Sequence, residues 1–144
     1  MTKEVLVSIC GLHTVTEESD SIIVEVPASY YKKDNKHYIF YEEAAEEFSG
    51  TIKNTIKAEE DKIIVSKKGT TDVDLVFSRK QKSKARYSTP LGDMAIGIWT
   101  KEIQIEETAK QLRIVIDYML EIEDVPVTDC KITICCKENV VQAT

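Results

Sequence analysis

Apolar and polar side chains alternate along most of this chain. The longest run lies late: Leu112, Ile114, Ile116, Tyr118, Leu120 and Ile122 share one face, while Arg113, Asp117, Glu121 and Glu123 share the other with Val115 and Met119. Cys130, Ile132, Ile134 and Cys136 repeat the pattern against Lys131, Thr133, Cys135 and Lys137. A period of two is what a strand with one buried face produces; a helix needs spacings near ~3.6. Val5, Val7 and Ile9 alternate in the same way, as do Ile22, Val24 and Val26, whose strand continues to about Lys33. Asp34-Asn35 predicts a hairpin turn into a strand over 37–41. Turn residues recur at Glu59-Glu60-Asp61, Lys68-Gly69-Thr70, Pro90-Leu91-Gly92-Asp93 and Asp124-Val125-Pro126, which places further strands at 50–58, 62–67, 72–78, 84–89 and 93–105. Only 42–48 reads as helical, and it makes barely two turns.

About nine or ten strands with one short helical turn cannot bury their apolar faces under helices, so they must bury them against one another. Short connections pair neighbours antiparallel. The fold expected is all-β, an antiparallel up-and-down β-barrel filling one domain over 1–144. At 42% hydrophobic residues the chain can build a core without disulfides or a structural metal.

A net charge of −6 repels duplex nucleic acid and anionic membranes at long range, which makes nucleic acid an unlikely partner. A local basic patch still acts within the Debye length of about 8 Å. The start lacks the apolar core and cleavage site of a secretory signal, and no run of ~18 apolar residues exists to span a membrane. These features point to the cytoplasm and away from membranes. Cys10, Cys130, Cys135 and Cys136 fit no metal-ligand spacing and read as small buried thiols; Cys135 and Cys136, adjacent in a strand, point to opposite faces. No metal and no cofactor is implied.

The order Tyr31, Tyr38-Ile39-Phe40-Tyr41-Glu42, Gly50 with Ile52-Lys53, Lys67-Lys68-Gly69, Phe77, Arg86-Tyr87-Ser88-Thr89-Pro90-Leu91-Gly92 and Thr100 resembles the YwiB-like family, small bacterial proteins of uncharacterised function. The resemblance implies a calycin-type (lipocalin-like) barrel and a kind of cavity, and no activity. The chain departs from the family pattern at Ala28-Ser29 and at Arg79-Lys80, where glycines are usual, and at Lys67, where an arginine is usual. A lysine grips a planar anion less well than an arginine does. Gly97-Ile98-Trp99 imitates the lipocalin Gly-x-Trp, but that motif belongs on a first strand, so Trp99 reads as a packed or rim aromatic.

Catalytic patterns are missing: no Gly-x-Ser-x-Gly elbow, no P-loop, and only His13 and His37 as imidazole bases. Cys10 and His13 lie three positions apart on one strand and face opposite ways, and His37 beside its turn reads as solvated. The acidic group Glu42, Glu43, Glu46 and Glu47 reads as a solvated turn. An enzyme is therefore the weakest reading. Arg79, Lys80, Lys82, Lys84 and Arg86 crowd a hairpin, read either as protection of a strand edge or as an anion contact. The leading expectation, by fold analogy, is a module that takes a small ligand in the barrel interior or mouth, with cations at hand if that ligand is anionic. Its site residues would be Tyr31, Tyr41, Lys53, Lys67, Arg86 and Tyr87, the tyrosines giving apolar area with a polar tip and the cations the charge. The alternative is an interaction or regulatory module working through its charged surface. There the basic hairpin and the acidic stretch 117–129 would pair two copies as a homodimer.

Overall fold

The alternation resolves into ten strands in a computed structural model that describes residues 3–11, 23–44, 50–90 and 92–138. They are β1 (Glu4–Cys10), β2 (Ile23–Lys33), β3 (Lys36–Ala44), β4 (Thr51–Ala58) and β5 (Lys62–Gly69), then β6 (Val73–Ser78), β7 (Lys82–Thr89), β8 (Gly92–Glu107), β9 (Gln111–Ile122) and β10 (Val125–Glu138). All pair antiparallel in the order β6-β5-β4-β3-β2-β1-β10-β9-β8-β7. Each strand thus lies beside its chain neighbour, and β1 also lies beside β10. The two end strands of the order, β6 and β7, meet and bring the sheet round into a barrel. Two of the turns have both central residues left-handed, Asp34-Asn35 (φ 53° and 64°) and Glu123-Asp124 (φ 51° and 65°). That geometry matches strand twist, and Asp and Asn tolerate it best after glycine.

One face of each strand fills the interior. Ile39, Ile56, Ile63, Ile98, Ile103, Leu112, Ile114, Ile116, Ile132 and Ile134 are fully buried there, and Phe77 meets Tyr118 edge-on at 5.0 Å. Each such aliphatic side chain contributes roughly 1.5–3 kcal/mol on leaving water.

The wall is not zipped throughout. At the β6/β7 seam Asp72 and Ser88 exchange two backbone hydrogen bonds (3.0 and 2.9 Å), and Gln81 N–H donates to the Ser78 carbonyl at the turn. Between these pins Asp74 and Val76 run opposite Arg86 and Lys84 without a ladder. A second opening has a covalent cause. β2 pairs with β1 along Ile23–Ser29 but with β3 only from Ser29 opposite Phe40 to Lys33 opposite Lys36. Tyr30 N–H donates to Lys3 on the β1 side, so by strand alternation the odd positions of β2 aim their amides at β3. Pro27 is such a position and has no N–H to give Glu42. The ladder stops there, and β2 forks away from β3.

Several expectations change. Residues 42–44 end β3 and are not helical, and 45–49 lie outside the described residues. β10 begins at Val125, so the turn before it is Glu123-Asp124 and Pro126 sits in the strand beside a bulge. His37 is buried, because on β3 it shares the inward parity of Ile39 and Tyr41. Cys130 and Cys136 are buried, Cys10 and Cys135 half-buried, and all four are free thiols. His13, Glu46 and Glu47 lie outside the described residues.

Candidate functional site

The β2/β3 fork holds a cleft of about 620 Å³, lined by Glu4, Pro27, Ala28, Ser29, Phe40, Tyr41, Glu42, Lys53, Asn54 and Thr55. Its lining mixes residues of both faces: Pro27, Ser29, Phe40, Glu42, Lys53 and Thr55 have outward parity, whereas Ala28, Tyr41 and Asn54 point inward. The cleft therefore reaches from the outer surface into the wall.

Behind it stands a polar network inside the barrel. Lys67 on β5 is only 6% exposed, and its Nζ donates to Glu43 Oε1 (2.9 Å) and Asn54 Oδ1 (2.7 Å). Asn54 Nδ2 donates in turn to Glu43 Oε1 (3.1 Å) and the Ile52 carbonyl (3.3 Å). Neighbouring registers bring these groups together: Tyr41 opposite Asn54, and Asn54 opposite Lys67. A buried ammonium needs such partners, since taking a charge from water costs several kcal/mol unless it is paired and hydrogen-bonded. Burial, and then the Glu43 carboxylate, raises both Tyr41 and Tyr87 above the ordinary phenol pKa, so both stay protonated donors at neutral pH. The Tyr41 hydroxyl has no hydrogen-bond partner among the described residues.

The six expected site residues divide by parity. Tyr41, Lys67 and Tyr87 lie on the inward faces of β3, β5 and β7 and gather around this network. Lys53 is exposed on the rim of the cleft. Tyr31 and Arg86 point outward and do not join them; Tyr31 stacks on Tyr38 at 4.7 Å, and Arg86 lies 3.4 Å from Asp93. Glu43, Asn54 and Pro27 complete the arrangement; Asn54 and Pro27 were not singled out in the sequence, and Glu43, expected in a solvated turn, lies half-buried on β3 against Lys67 and Asn54. Parity with Ile56 and Ala58 is the signal that would have found Asn54.

A second buried polar group occupies the other end of the barrel. Tyr30 and His37 are hydrogen-bonded at 2.7 Å through His37 Nδ1; Nε2 lies 3.8 Å from Glu107, which Lys32 holds at 3.0 Å. Burial lowers the His37 pKa, against an opposite pull from Glu107 and with Lys32 adding to the lowering. Burial pushes the Tyr30 phenol up to about 12, helped by Glu107 and Cys136. A neutral imidazole with its proton on Nε2, facing Glu107, leaves Nδ1 to accept from Tyr30.

The basic hairpin is engaged within the chain. Arg79 pairs with Glu102 and donates to the Ile103 carbonyl at 2.8 Å, while its Nε lies 3.3 Å from Asp61 at an angle that makes no hydrogen bond. Lys82 pairs with Glu121 at 2.8 Å and Lys84 with Asp124 at 3.6 Å. Part of the acidic stretch thus already faces part of the hairpin across β8. Trp99 stands on the outer wall, 38% exposed. No helix among the described residues is long and apolar enough to cross a membrane.

These features define an up-and-down β-barrel protein whose wall opens beside a buried ion pair. Residues 7–134 match the family described as a domain of unknown function, DUF1934, and the chain belongs to that family. It is 25% identical over 126 residues to the uncharacterized beta-barrel protein YwiB of Bacillus subtilis (strain 168), covering 86% of this chain and 87% of that one. The crystal structure of the ywiB protein from Bacillus subtilis has the same fold, with a TM-score of 0.73 and 22% identity over 95% of this chain and 91% of the other. The YwiB-like resemblance and the barrel expected from alternation are both borne out.

Proposed function

We propose that this barrel is a cytoplasmic small-molecule binding protein of calycin-like type, with its ligand seated in the β2/β3 fork. The observation that carries the reading is the cleft of about 620 Å³, lined by Pro27 where the β2/β3 ladder ends. That volume lies within the ~300–1,000 Å³ typical of ligand sites. Phe40 and Pro27 offer apolar contact, the Tyr41 hydroxyl offers an unspent donor, and Lys53 offers a positive charge at the rim. Lys67 and Glu43 neutralise each other, so their part is to hold Asn54 and frame Tyr41 from behind. The ligand class that fits is small and part apolar, with a hydrogen-bond acceptor or anionic group. Free thiols at all four cysteines and a charged outer wall support a cytoplasmic, non-membrane setting, since a lipid-facing barrel needs an apolar outer band.

Native mass spectrometry of the chain purified from its own host, beside Lys53→Glu, tests the proposal. A small-molecule adduct on the wild type that is weakened in Lys53→Glu is the expected result. A bare polypeptide mass, or an adduct held equally by both proteins, overturns it.

A further inference from the structure

The outer wall of β2–β5 carries a broader surface that shares Ser29, Phe40, Glu42, Lys53 and Thr55 with the rim of the fork and extends beyond it to Lys33, Tyr31, Tyr38 and Lys57. Registers set its outward side chains in rows: Lys33 beside Lys36, with Glu59 and Lys62 beyond, then Tyr31, Tyr38, Lys57 and Ile64, then Ser29, Phe40, Thr55 and Ser66, then Glu42, Lys53 and Lys68. Three aromatic rings stack at its centre, Tyr31 on Tyr38 at 4.7 Å and on Phe40 at 5.7 Å, with interplanar angles of 14° and 20°. Tyr31 is 45% exposed, so the stack opens to solvent. Lysines surround the rings. Lys57 Nζ lies 6.0 Å over Tyr38, and Lys33, Lys53 and Lys62 make no ion pair among the described residues. On this wall Lys36 and Lys68 face Glu59 (3.4 Å) and Asp74 (3.6 Å) and the other outward lysines make no ion pair among the described residues, whereas four of the five cations of the basic hairpin face carboxylates.

We propose that this face binds single-stranded nucleic acid. Bases stack on the Tyr31–Tyr38–Phe40 cluster, and phosphates lie along Lys33, Lys57, Lys53 and Lys62. Single-strand binders combine these two features, a cationic track and aromatic rings set within it, because every base has a π-face and every linkage a charge. A duplex cannot use the rings, since its bases are already stacked. An acidic peptide would use the lysines and leave the rings idle. The chain's net charge of −6 does not cancel the local field, because charges beyond about 8 Å are largely screened at physiological salt. Two successive outward residues advance about 7 Å along a strand, so the aromatic rows and the lysine rows succeed each other on the scale of one extended nucleotide. Glu42 at the lower edge repels phosphate but accepts from an exocyclic amino group of a base.

Fluorescence anisotropy with end-labelled oligo-U and oligo-dT of about ten nucleotides tests this, that length being within the range one small barrel covers. Wild type is expected to bind both, with affinity falling as salt rises. Tyr31→Ala, at an exposed site and checked for an unchanged melting temperature, should weaken binding by at least about 5-fold, the loss of roughly one stacked base. Lys33→Gln with Lys57→Gln should flatten the salt slope by about 1.4, at ~0.7 per phosphate contact. No binding at low salt, full affinity in Tyr31→Ala, or equal binding of a duplex or of poly-glutamate would each overturn the proposal. The adduct expected in the fork is unaffected by Tyr31→Ala, so the two readings fail separately.

Discussion

Lys67 shows what a single inward charge asks of a barrel. Its ammonium is satisfied by Glu43 and Asn54, so shortening it takes the donor from Asn54 Oδ1 and the counter-charge from Glu43. Lys67→Ala should cost about 1–3 kcal/mol in urea unfolding, and Glu43→Gln in the same chain should recover part of that loss. Additive losses would show that the pair is not coupled. His37 gives a pH signature. Its folded pKa lies below the ordinary 6.5, so between those values the unfolded chain binds more protons than the folded one. Stability is therefore complete above pH 6.5 and declines as pH falls through that window. His37→Gln should flatten the melting temperature against pH there; an identical slope in both proteins contradicts the assignment. Tyr30 acts at the other end, where stability is present below pH 10 and declines as pH rises from 10 toward about 12.

At the scale of the element, the strands were legible because period-two alternation reports burial directly, and all ten were readable from it. Which candidate residues meet was less legible. Ile63 and Val65 place Lys67 inward by parity, just as Ile39 places Tyr41 and His37 inward, yet residue type alone had grouped Tyr31 and Arg86 with them and had left His37 in solvent. The fork was out of reach for another reason. Pro27 breaks a ladder only if its missing amide faces β3, and that depends on a register the sequence does not state. Pro27→Val restores the donor. It should let β2 zip onto β3, protect the amide of residue 27 from exchange, raise the melting temperature and abolish the adduct in the fork. Unchanged protection with the adduct retained would show that the proline is not what holds the fork open. Gly69 marks a different limit: its φ is +133° and a Cβ there would lie 2.3 Å from the Thr51 carbonyl, so only glycine fits.

The whole molecule is one ten-stranded sheet whose two imperfect seams divide it into two curved sub-sheets. One runs β3 to β6 and the other β7 through β10 to β1 and β2. The β6/β7 seam is pinned at its two ends, and the β2/β3 seam is paired only from Ser29 to Lys33. Phe77 and Tyr118 join the two sheets through the core. Phe77→Ala should therefore loosen both at once, with a cost of about 3–5 kcal/mol and a still-cooperative transition. Charge is likewise divided over the outside: Lys33, Lys53 and Lys62 on the β2–β5 wall make no ion pair among the described residues, while Lys82, Lys84 and Arg86 around β7 to β9 are paired.

The opening in the wall underlies the proposed ligand site, and amide hydrogen exchange measured by NMR reads it directly. Glu42 on β3 aims its amide at the position where Pro27 breaks the ladder, while Phe40, two residues earlier, sits opposite Ser29 in the last pair before the fork. Rapid exchange is expected at Glu42 and strong protection at Phe40, with Glu42 slowing when the fork is filled. Equal protection at the two amides in the unliganded protein would mean that the barrel is zipped shut and has no side opening.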